Sequence, residues 1–108
     1  MIVRLLVVLA GASALTGCGP IQSTSYLIDA QVALEAARTA QANKLAPYEW
    51  TAANLYLHKA REEVGYSEFE QAVTYAAKAS KFANSARDVA MKAVRKDEPN
   101  AAGANPVP

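Results

Sequence analysis

The chain has 108 residues, with 11 basic and 10 acidic side chains, one histidine and one cysteine. A balance this even lacks the basic footprint of a nucleic-acid binder. A lone cysteine excludes a disulfide framework within the chain, and one histidine beside it is too few for a zinc-type ligand set.

The N-terminus reads MIVRLLVVLAGASALTGCGP. Arg4 supplies a positive charge and residues 5–10, LLVVLA, a short apolar core. That core is too short to span a bilayer and is broken by Gly11 and Gly17, so residues 1–17 read as a secretory signal. Leu15-Thr16-Gly17-Cys18 resembles the lipobox of bacterial lipoprotein signal peptides. The resemblance implies diacylglyceryl transfer to the Cys18 thiol, cleavage before Cys18 and acylation of the new amino group. Several acyl chains hold a membrane far better than one. The alternative is an ordinary signal peptide with an incidental cysteine. Gly19 stands where an Asp would retain such a lipoprotein at the inner membrane. The resemblance therefore implies the outer membrane, facing the periplasm, with the inner membrane or a Gram-positive cell surface as alternatives. Loss of Arg4 leaves equal numbers of acidic and basic side chains.

Residues 18–24 read as the lipidated cysteine and a tether, residues 25–96 as one alanine-rich helical domain, and residues 97–108, rich in Pro, Gly and Asn, as a disordered tail. No stretch alternates convincingly and helix formers dominate, so the expected fold is all-α, a helical hairpin in a three-helix arrangement with a long third helix. The first helix spans roughly 25–44, with Ala30, Ala33, Ala37 and Ala40 on one stripe. The second opens at Pro47, whose missing N–H costs nothing at the first helical position, with Glu49 set against the helix dipole. It carries Trp50, Ala53, Leu57, Ala60 and Val64 at spacings of three and four, and Gly65 ends it. The third starts at Ser67, where Ser67 and Glu70 have capping-box spacing, and runs to about Lys96.

That third helix holds a stripe: Ala72, Ala76, Ala79, Ala83, Ala86, Ala90 and Ala93, alternately four and three apart. Such a repeat keeps one face on a partner through a left-handed wrap. Alanine buries little area but lets two backbones approach closely. The stripe is either the inner face of the hairpin or a seam for a second copy or a partner helix. The third helix outruns the second, so Ala86, Ala90 and Ala93 have no evident neighbour unless the first helix covers them. Tyr75, Phe82 and Val89 form a row beside the stripe. Tyr48 and Trp50, at the start of the second helix, make a candidate aromatic patch for a glycan strand or a protein; the alternative is that the rings simply cap a small core.

The aromatic and alanine spacing from Trp50 to Ala60, followed by Gly65-Tyr66 and Phe69 to Ala72, is similar to a tetratricopeptide hairpin, without a clear second unit. Together, the lipobox, the alanine-spaced first helix, Ala46-Pro47-Tyr48-Glu49, and Ala53, Tyr56 and Ala60 with Gly65-Tyr66 resemble small bacterial outer-membrane lipoproteins of the DUF4398 type, a domain of unknown function. The resemblance implies an envelope location and a helical domain, and brings no catalytic or ligand residues.

Nothing assembles a catalytic site. His58 is read as a surface residue, and neither a Gly-x-Ser-x-Gly elbow nor a glycine-rich phosphate loop is present. The expectation is a non-enzymatic protein without metal or cofactor. It is held to the membrane through Cys18 and acts as a scaffold or binding module for another envelope protein. The alternatives are a self-associating coiled-coil spacer and a peptidoglycan-binding lipoprotein.

Overall fold

A computed structural model describes residues 1–4 and 18–98. The apolar core of the signal segment and the tail from residue 99 lie outside the described residues. The described chain is all-α: α1 Cys18–Thr39, α2 Ala42–Leu45, α3 Pro47–Gly65 and α4 Phe69–Asp97. No helix among these is long and apolar enough to cross a membrane.

α1, α3 and α4 pack up, down and up. Gln31 meets Arg61 and Arg38 lies over Trp50, so α1 and α3 are antiparallel. Tyr48 meets Phe82 and Tyr56 meets Tyr75, so α3 and α4 are antiparallel too. α1 and α4 are therefore parallel. Gly19 lies beside Phe69 at one end, and residues 39–41 share a hollow with Met91, Val94 and Arg95 at the other.

Three sequence boundaries need correction. Residues 18–24 are not a tether but the first turns of α1. Ser23 is buried there and donates its hydroxyl to the Pro20 carbonyl at 3.0 Å. The second correction concerns the start of α4. Ser67 does not cap it; Glu68 precedes the helix and makes no side-chain capping bond. Ser67 instead sits at φ 62, closing α3. The Glu68 N–H reaches the Glu63 carbonyl at 2.9 Å and the Ser67 N–H reaches Val64 at 3.0 Å. These are the two bonds of a Schellman ending, in which the left-handed residue follows the helix. α3 does end at Gly65, the expected stop, although Gly65 itself has no positive φ. α1 also ends earlier than expected, at Thr39, where Gln41 takes φ 61 and the chain restarts as α2. Pro47 does open α3 as its composition dictates.

The core is made of methyl groups. Among the described residues, twelve of the fourteen buried hydrophobic side chains are alanine, the others being Leu34 and Leu57. Among the described residues no side chain larger than serine is fully hidden. Each buried methyl contributes only about 0.8 kcal/mol, so cohesion rests on many close contacts between backbones rather than on a few large groups.

The stripe on α4 is consumed by this packing. Ala72, Ala76, Ala79, Ala83, Ala86 and Ala90 are all 0% exposed, and Ala93 is half-buried. Ala79 and Ala83 meet Ala30, Leu34, Ala53 and Leu57. Ala86 and Ala90 meet Ala37, Ala42 and Ala46. The last third of α4 thus has its partner within the chain, in α1, α2 and the start of α3. The stripe is therefore the inner face of the bundle, with α1 and the short α2 packed where a second helix would otherwise lie.

Candidate functional site

The open face of the bundle lies over the groove between α3 and α4. On α3, Tyr48, Ala52, Tyr56 and Lys59 follow one another at spacings of four, four and three, which places them on one side of a helix. On α4, Tyr75, Lys78 and Phe82 do the same. The alanines beside them draw the two backbones together, so the rings are displaced outward and meet across the groove.

The rings form a continuous ladder. Tyr48 meets Phe82 edge-on with centroids 6.4 Å apart. Phe82 stacks on Tyr56 at 5.5 Å and an interplanar angle of 12°, and Tyr56 stacks on Tyr75 at 6.1 Å. Two lysines lie over them. Lys59 Nζ is 5.4 Å from the centre of Tyr75, and Lys78 Nζ is 5.5 Å from Tyr56 and 5.9 Å from Tyr75. Contacts of this type are worth about 0.5–1 kcal/mol at an exposed site, so each ammonium is held near the ring yet free to leave it.

Shallow hollows flank the ladder on both sides. One of about 450 Å³ lies among Tyr48, Leu55, Tyr56, His58, Glu62 and Phe82. The other, of about 250 Å³, is bounded by Tyr56, Lys78, Lys81, Phe82 and Ser85. Tyr56 and Phe82 belong to both. His58 is exposed at the rim, where the sequence placed it. Leu55 is 61% exposed beside Tyr56 and has no partner among the hydrophobic clusters. The arrangement offers flat rings, an apolar wall and a row of three ammonium groups. It can stack against a ring or an extended chain and pair with anionic groups.

The expected patch of Tyr48 and Trp50 is not one surface. Two residues apart on a helix, the pair point in directions about 160° apart. Tyr48 is 73% exposed. Trp50 is half-buried, packs against both core clusters, and is covered by the Arg38 guanidinium 5.8 Å from its ring. Trp50 is core and Tyr48 is the outer rung of the ladder. Sequence reading did not join Tyr56, Tyr75 and Phe82, with Lys59 and Lys78, into one site. Their row spacing was visible, but nothing in it said which rows would meet.

No group of three or more His, Cys, Asp or Glu side chains among the described residues is placed to hold a metal ion. The family model described as Domain of unknown function (DUF4398) matches residues 25–102. The chain belongs to this family. No curated protein and no solved structure matches it. The DUF4398 match takes in α2, α3, α4 and α1 from Ser25 onward. The ladder therefore lies wholly within the DUF4398 domain, while the first turns of α1, which join Cys18 to the bundle, precede it.

Proposed function

We propose that this DUF4398 protein is a lipid-anchored, non-catalytic helical module of the bacterial envelope that binds another envelope component through the α3–α4 face. The observation that carries the reading is the aromatic ladder with its lysines, left open while the alanine stripe is spent inside the fold. Buried alanines hold the scaffold, and aromatic rings, with Tyr48 largely exposed and Tyr56, Tyr75 and Phe82 half-buried, are side chains that interfaces favour. A protein partner is the first reading. Peptidoglycan is the second, favoured by flat rings able to stack on sugars and ammonium groups able to pair with the carboxylates of its peptides.

A photo-crosslinking side chain at position 55, in native cells, tests both. A discrete adduct indicates a protein, and high-mass material collapsed by lysozyme indicates the cell wall. The same probe at position 35, on the outer face of α1, is the control. Adducts at position 35 and none at position 55 would sink the proposal.

A further inference from the structure

The bundle has two unlike ends, and the chain enters at one of them. Gly19 packs beside Phe69, with an added Cβ there 3.4 Å from the Phe69 ring. Cys18, one residue earlier in the same helix, is therefore level with the turn of residues 66–68 that joins α3 to α4. Cys18 is already helical, and Ser23 is buried five residues on. No slack separates residue 18 from the bundle.

Two large side chains with apolar bodies stand out at this end. Ile21 is 74% exposed on the outer side of α1, and Tyr66 is 71% exposed at the turn. A tyrosine with an apolar ring and a wet hydroxyl, and a bare isoleucine at the same end of the bundle, suit the depth of lipid headgroups. Glu62, Glu63, Glu68 and Glu70 lie around the same turn with Arg61. Their carboxylates resist deeper burial and keep the contact shallow.

We infer that the 66–68 turn and the first turn of α1 rest on the bilayer surface, with Ile21 and Tyr66 among the headgroups and α1 and α4 standing up from it. This rests on acylation of Cys18. An upright α4 of 29 residues carries its far end about 44 Å from the membrane. The aromatic ladder, with Tyr75 about 9 Å and Phe82 about 20 Å along α4, is held above the lipid.

The full chain, processed in cells and reconstituted into phosphatidylethanolamine–phosphatidylcholine vesicles, provides the test. Acylated Cys18 has no free thiol, so Gln71→Cys and Asn43→Cys each give one labelling site, both at exposed positions near opposite ends. Headgroup-nitroxide lipid should quench a fluorophore at position 71 several-fold more than one at position 43. Ile21→Ser with Tyr66→Ser should reduce that difference, as should anionic lipid. Equal quenching at both positions, on a chain whose mass confirms the acyl groups, overturns the upright placement alone. A mass without acyl groups overturns it together with the anchoring.

Discussion

Ser67 and Gln41 are the two residues other than glycine that take a positive φ among the described residues. A side chain at φ 62 crowds the backbone in a way glycine does not. Ser67→Gly should therefore stabilise the domain by roughly 1 kcal/mol, seen as a raised midpoint in thermal unfolding. The sequence pointed to Gly65 as the stop and to Ser67 as a cap. Both residue types were right for a helix boundary, but the left-handed position falls two residues after the glycine. Neither composition nor spacing registers that shift, because it depends on which carbonyls the turn must satisfy. Trp50 and Tyr48 make a second residue-scale contrast. Trp50→Ala should cost about 2 kcal/mol in urea denaturation, since its ring bridges both core clusters. Tyr48→Ala should change stability by no more than about 0.5 kcal/mol, since its ring is largely exposed.

At the scale of elements, the 4-3 alanine spacing revealed the buried face of α4 residue by residue. It could not reveal the partner, because a row of methyl groups fits any helix that comes close. What decided the matter was the direction of α1, parallel to α4 and reaching its far end through α2. The extension of α1 back to Cys18 was hidden by Gly19 and Pro20, which read as loop residues. Packing against Phe69 overrides that preference. Covered this way, Ala86 has no space for a longer side chain. Ala86→Leu should destabilise the chain by about 3 kcal/mol in urea. If the last third of α4 were open, the same change would leave stability unaltered. The ladder was legible only in part: the row of Tyr75 and Phe82 beside the stripe was evident, but its meeting with Tyr56 follows from the register of the α3–α4 hairpin.

At the scale of the whole molecule, one chain supplies all three long helices and leaves no alanine seam for a second. A chain beginning at Gly19 should sediment as a monomer; a stable dimer in analytical ultracentrifugation would show that another surface associates. The interior of methyl groups has a thermal consequence. The heat-capacity change of unfolding tracks the apolar surface released to water, and polar surface works against it. A domain whose hidden side chains are nearly all alanine releases little. Calorimetry should find a value below the usual ~12–15 cal/mol/K per residue. The stability curve is then unusually flat, so the bundle holds much the same modest margin in cold water as in warm.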